Sequence, residues 1–149
     1  MQVIIFTGIQ GAGKSTFFKE RFFDTHIRIN FDMLKTKHRE KLLIESCLEA
    51  KQPFVIDKTN PTIEGRAKYI ALANQYKFSV AGYYFASSLA DAIERNNQRE
   101  GKAKIPEKGL YATYSRLQIP RLAEGFDELF YVKINGTRGF VVENWQDEI

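Results

Sequence analysis

Cysteine and histidine are scarce in this chain of 149 residues, which holds one thiol, Cys47, and two imidazoles, His26 and His38. A single thiol excludes an internal disulfide and any cysteine-rich zinc site. Two histidines leave little for a histidine-based metal centre. Long hydrophobic runs are missing too. The apolar stretches have strand length, far below the roughly 20 residues of a membrane-crossing helix. Met1 leads straight into Val3-Ile4-Ile5-Phe6, with no basic segment ahead of a long apolar one. That start lacks a signal-peptide pattern, so the expected setting is a reducing cytoplasm, with no membrane partner. Neither sign of charge dominates: 22 Lys and Arg against 18 Asp and Glu leave a net charge of +4. With 44% hydrophobic residues, 12 Phe and 7 Tyr, a disordered, collagen-like or coiled-coil chain is excluded.

The mild basic excess is compatible with a polyanionic partner, and its distribution says more than its size. Lys35, Lys37, Arg39 and Lys41 crowd one segment, and Arg95, Arg99, Lys102 and Lys104 crowd another. No repeat, low-complexity tract or Ser/Gly linker divides the chain, so one domain over residues 1–149 is expected.

Val3-Ile4-Ile5-Phe6-Thr7 is an unbroken apolar run, the pattern of a strand buried on both faces. A glycine-rich turn follows, then a helix over about residues 14–23. His26 to Phe31 reads as a second strand. A long helix is expected over about residues 33–51, with Leu43, Cys47 and Ala50 on one face. Pro53 to Asp57 is a third strand. Asn60-Pro61 has the pattern of a helix N-cap and first helical residue, opening a helix with a stripe of Ile63, Ala67, Ile70 and Ala71. Phe78 to Phe85 is a fourth strand, with Tyr83-Tyr84-Phe85 expected in the core. Ser88 to about Glu100 reads as a helix, Gly101 to Ile105 as a basic loop, and about Pro106 to Leu117 as another helix. Leu129 to Ile134 is a strand, with an edge strand at Arg138 to Glu143. Strands alternating with helices predict an α/β fold, a parallel sheet covered on both faces. Ligands in such sheets sit at the carboxyl ends of the strands, where Gly8, Asp32 and Asp57 all fall.

Gly8-Ile9-Gln10-Gly11-Ala12-Gly13-Lys14-Ser15 fits G-x-x-x-x-G-K-[ST] at every fixed position, between a predicted strand and a predicted helix. Glycines let the backbone curl so that successive N–H groups face phosphate oxygens, and the helix N-terminus adds partial positive charge. Lys14 is placed to reach the β- and γ-phosphates of ATP, and Ser15 to ligate Mg²⁺. Asp32 either accepts the proton of an attacking hydroxyl or caps a helix. Asp57 either organises Mg²⁺, directly or through water, or serves a turn. Arg95 and Arg99, four residues apart on one helix face, either clamp a triphosphate or are solvated near a helix C-terminus. The lysine-rich run after Asp32 either meets acceptor phosphates or is a solvated face. Cys47 is read as packing.

Together these residues resemble the kinase module of polynucleotide 5′-hydroxyl kinases, including that of bifunctional polynucleotide kinase/phosphatases. The resemblance runs from Met1 to about Ile134. Gly8 to Thr16 is similar to the family's phosphate loop, and Asn30-Phe31-Asp32 to its N-R-D segment. Asp57-Lys58-Thr59-Asn60-Pro61 is similar to its D-N-T-N-P segment. Arg66 falls where the next helix carries an arginine. Arg95-Asn96-Asn97 with Arg99 resembles its lid helix, and Leu122-Ala123-Glu124-Gly125-Phe126 also looks familial.

The resemblance implies a three-layer P-loop fold of nucleoside monophosphate kinase type with a short lid around Arg95 to Ile105. It implies transfer of the γ-phosphate of ATP, with Mg²⁺, to the 5′-OH of DNA or RNA. Asp32 becomes the base, Arg95 with Arg99 the phosphate clamp, and Lys35 an acceptor contact, with Asp57 beside the acceptor. Phe31 and Lys35 stand where the family usually has arginine, and both departures fall on the acceptor side. A small-molecule kinase acting on a nucleoside, sugar or nucleotide-sugar fits the same donor residues. So does an ATP-binding switch without acceptor chemistry.

Overall fold

The computed structural model describes residues 1–86, 88–101, 104–134 and 139–145. Its frame is a six-stranded sheet in the order β2-β3-β1-β4-β5-β6. The strands are β1 (Gln2–Thr7), β2 (Ile27–Ile29), β3 (Phe54–Ile56), β4 (Ser79–Phe85), β5 (Glu128–Ile134) and β6 (Phe140–Asn144). β1 to β5 run parallel, and β6 returns antiparallel along β5. Arg138, at the start of the expected edge strand, lies outside the described residues.

β1 is apolar throughout because it is covered on both sides. Ile4 pairs with Val55 of β3 and with Ala81 of β4. Strand side chains alternate between faces, so Val3 and Ile5 join one core while Ile4 and Phe6 join the other. The first core packs under α3 (Lys37–Ala50) and α4 (Ile63–Gln75), through Ile44, Cys47 and Leu48 of α3 and Tyr69, Ile70 and Ala73 of α4. The second packs under α1 (Lys14–Arg21), where Phe6, Phe17 and Phe85 meet edge to face with ring centroids 4.9–5.9 Å apart. Burying each such ring contributes about 1.5–3 kcal/mol. The three layers are thus α1, the sheet, and α3 with α4. Two further helices, α5 (Leu89–Asn97) and α6 (Glu107–Arg116), pack on each other.

Several local expectations change. The second strand stops at Ile29, so Asp32 lies in the first turn of a one-turn helix, α2 (Phe31–Leu34), rather than at a strand end. Asn30 caps α2 by accepting from the Met33 N–H at 3.1 Å. The long helix expected over 33–51 is two helices. Lys35 has φ +73°, which no helix continues through, and Thr36 caps α3 by accepting from the Arg39 N–H at 3.1 Å. The predicted face of α3 is rotated: Cys47 is buried, Leu43 is half-buried and Ala50 is exposed.

Asn60 is not a helix cap. It has φ +42° and is buried, and Thr62 caps α4 instead by accepting from the Gly65 N–H. The predicted α4 stripe holds only at Ile70, for Ile63, Ala67 and Ala71 are exposed. α5 ends at Asn97, so Arg99 lies in the turn beyond it and not on the Arg95 helix face. In the basic loop that follows, Lys102 and Ala103 lie outside the described residues.

Candidate functional site

The loop between β1 and α1 owes its shape to two glycines. Gly11 has φ +81° and Gly13 has φ +94°, a region open to glycine at little cost. A Cβ at Gly11 would also come within 3.0 Å of the Ala92 carbonyl oxygen of α5, so the loop and α5 approach closely at that point. Gly13 serves as N-cap of α1, and Lys14 and Ser15 are its first residues. The loop therefore ends at a helix N-terminus, with the partial positive charge such an end carries.

Lys14 is buried, and its Nζ donates to the carbonyls of Gly8 at 2.9 Å and Ile9 at 2.8 Å. Burial draws its pKa down from 10.5 to about 8; Asp57 and Asp32 oppose that shift and Arg99 adds to it. Asp32 and Lys35 are themselves exposed, at the start and the C-cap of α2.

Asp57 follows β3 and is 2% exposed, a carboxylate that burial would penalise without partners. Its Oδ2 accepts from the Ser15 hydroxyl at 3.3 Å and from Arg28 Nε at 2.8 Å. Arg28 Nη2 donates in turn to Ser15 Oγ at 2.8 Å. The sequence reading gave Arg28 no part here. Its signal is available only in hindsight: it is the single charge inside an apolar three-residue strand, Ile27–Ile29.

The segment after Asp57 supports the loop. The Thr59 carbonyl accepts from the Gly8 N–H at 3.0 Å. Asn60 Nδ2 donates to the Phe6 carbonyl at 2.7 Å. Arg66, fully buried in α4, donates to the Asn60 carbonyl at 2.8 Å and bidentately to Glu124 at 2.9 and 3.0 Å. The familial-looking Glu124 is therefore a structural partner of Arg66.

Arg95 reaches the loop from α5, its Nη1 donating to the Gly11 carbonyl at 3.0 Å. Gln10 Nε2 donates to Thr113 Oγ1 of α6 at 3.0 Å, a second tie to this helix pair. The structure therefore brings Lys14, Ser15, Asp57 and Arg95 to one place at the carboxyl edge of the sheet. Gly8, Ala12 and Thr16 belong to the same loop and the first turn of α1, where Ala12 is buried and Thr16 exposed.

The model of the AAA domain family matches residues 3–120. The bifunctional polynucleotide phosphatase/kinase of Schizosaccharomyces pombe is 32% identical over 130 residues, which are 84% of this chain. The chain spans about a third of that curated relative, 32% of its length. Among solved structures, a gluconokinase from Sinorhizobium meliloti superposes with TM-score 0.63 at 20% identity, covering 89% of this chain and 82% of that one. Kti12 of Chaetomium thermophilum, solved with ADP-AlF3, superposes with TM-score 0.62 at 16% identity, covering 88% of each chain. At these identities the superpositions establish a shared fold, that of the P-loop kinases.

Proposed function

The chain belongs to the AAA domain family, and from that premise we propose that it transfers the γ-phosphate of ATP to a hydroxyl group, the 5′-OH of DNA or RNA. The observation that carries the proposal is the loop at the N-terminus of α1, where buried Lys14 sits, Ser15 meets Asp57 and Arg95 donates to the Gly11 carbonyl. The S. pombe relative supports a polynucleotide acceptor.

In this reading the curled backbone from Gly8 to Thr16 cradles the triphosphate, and Lys14 leaves its two carbonyls for the β- and γ-oxygens. Mg²⁺ fits the residues present. Ser15 and Asp57 offer a hydroxyl and a carboxylate oxygen 3.3 Å apart, the hard donors magnesium takes, and the Arg28 guanidinium already draws on both. The ion, bound at Ser15 and Asp57, would neutralise phosphate charge. The acceptor oxygen attacks the γ-phosphorus as its proton passes to the Asp32 carboxylate. The new O–P bond forms, the bridging bond to the β-phosphate breaks, and ADP leaves. Arg95, with Arg99, meets the negative charge on the transferring group, where a fixed cation is worth more in the transition state than in the ground state. Lys35 contacts an acceptor phosphate. Closure of α5 and the following turn over the nucleotide excludes water and limits hydrolysis.

The test is incubation with γ-labelled ATP and a panel of 5′-OH oligonucleotides, nucleosides and sugars. Label on the oligonucleotide 5′ end is expected. Label confined to a nucleoside or sugar would make this a small-molecule kinase, and label confined to inorganic phosphate would remove the acceptor chemistry.

A further inference from the structure

A cavity of about 300 Å³ lies between α3 and α4 beside α2. It takes no part in the phosphoryl chemistry above, yet it adjoins that site twice. Phe31 on its wall immediately precedes Asp32, and Lys58 on its floor immediately follows Asp57. Phe31 is 37% exposed, with Lys58 Nζ 5.9 Å from its ring centroid. Ile44 and Leu72 complete an apolar wall.

The floor is polar but already satisfied. Lys58 Nζ donates to both Glu40 oxygens, at 3.3 and 3.2 Å, and to the Tyr69 hydroxyl at 2.9 Å. The Tyr69 hydroxyl donates to Glu40 Oε1 at 2.7 Å. Burial first, then this bond and the carboxylate charge, push the Tyr69 phenol up, so it stays a neutral donor. With Lys58 and Glu40 neutralising each other, the floor calls for no ion. The lining also carries three more cations: Lys37, Lys68, whose Nζ lies 4.9 Å from the Tyr69 ring centroid, and Lys41, 3.9 Å from Glu45.

An uncharged flat ring with phosphates on either side matches an apolar aromatic wall, a neutral floor and further cations in the lining. We propose that this cavity receives a nucleobase of the acceptor strand, stacked on Phe31, while Lys37 and Lys68 meet the flanking phosphates. The proposal rests on the polynucleotide reading above. Stacking on an aromatic ring tolerates any base, so the cavity would favour strands over single nucleosides without selecting a sequence.

The experiment measures transfer to a 5′-OH oligonucleotide by the wild type, Phe31→Ala, Phe31→Trp, Lys37→Ala and Lys68→Ala. Phe31→Ala is expected to raise KM for the oligonucleotide about 5- to 150-fold, the range of a lost base–aromatic stack. Phe31→Trp should stay near wild type, and KM for ATP should not move in either. Each lysine variant should lower the slope of log KM against log salt by about one. The proposal is overturned if Phe31→Ala leaves the oligonucleotide KM unchanged while the wild type labels the strand. If Phe31→Ala does not fold, unchanged salt slopes in the lysine variants overturn it instead. A wild type that labels nucleosides or sugars but no oligonucleotide removes the polynucleotide reading, and this proposal with it.

Discussion

Arg66→Ala should destabilise the protein more than any substitution at an exposed arginine. Among the described residues, Arg66 is the bulkiest side chain that is fully buried, and its guanidinium makes three hydrogen bonds of 2.8–3.0 Å. Truncation leaves the Glu124 side chain, 6% exposed, without its cation, and removes a donor from the Asn60 carbonyl. Breaking a buried ion pair by removing one partner costs about 3–5 kcal/mol. A buried carbonyl left unpaired costs about 1–3 kcal/mol, part of which the first figure already contains. At roughly 2–4 °C per kcal/mol for a chain of this size, the 3–5 kcal/mol loss lowers Tm by about 6–20 °C.

The assay is thermal and urea unfolding followed by circular dichroism. Arg66→Lys should recover little, because one ammonium cannot reproduce a bidentate fork and a third bond. The double variant Arg66→Met with Glu124→Leu should recover much of the loss, since no charge is then buried alone. A single Arg66→Ala variant within about 1 kcal/mol of wild type would refute this account of the pair. Because Arg66 holds the Asn60 carbonyl and Asn60 holds Phe6, the loss should also weaken nucleotide binding through the loop.

Two further outcomes follow from the loop. Lys14, drawn down from 10.5 to about 8, holds its proton less firmly in the folded chain than in the unfolded one. The unfolded state therefore binds more protons between about pH 8 and 10.5, and Lys14's contribution to the stability of the nucleotide-free protein rises with pH across that window. Melting curves against pH should show a rise for wild type relative to Lys14→Met; parallel curves would contradict it. Arg95→Ala should lower turnover far more than nucleotide affinity. Equal losses in both would make Arg95 a ground-state contact.

The sequence was most legible where structure is local. The run Val3-Ile4-Ile5-Phe6-Thr7 and the spacing Gly8-x-x-x-x-Gly13-Lys14-Ser15 each carry their conformation within a few residues, and β1 and the loop lie where they were expected. Asn60-Pro61 misled for the opposite reason. Its local pattern is a cap, but the Asn60 side chain is spent on Phe6, 54 residues away. Likewise nothing local marks Arg66 as buried, and only its fold-distant partner Glu124 makes burial tolerable. The break at Lys35 was hidden because lysine rarely adopts φ +73°, whereas Asn30 and Thr36, three residues before the N–H groups they cap, were readable signals of two separate helices. At the site, Lys14 and Ser15 were fixed by their motif. The tie from Arg95 to Gly11 spans 84 residues and was not foreseen, although the sequence did offer Arg95 as a phosphate clamp. Arg28 had no motif at all.

The most direct measurement of the central claim is transfer of labelled γ-phosphate from ATP to a 5′-OH oligonucleotide by wild type and by Asp32→Asn, with nucleotide affinity and melting temperature measured beside it. Asparagine keeps the size of the side chain and cannot take the hydroxyl proton. The account predicts labelled 5′ ends with wild type and a rate lower by about 10²–10⁴ with Asp32→Asn, at unchanged affinity and stability. Transfer by Asp32→Asn within a few-fold of wild type would contradict it.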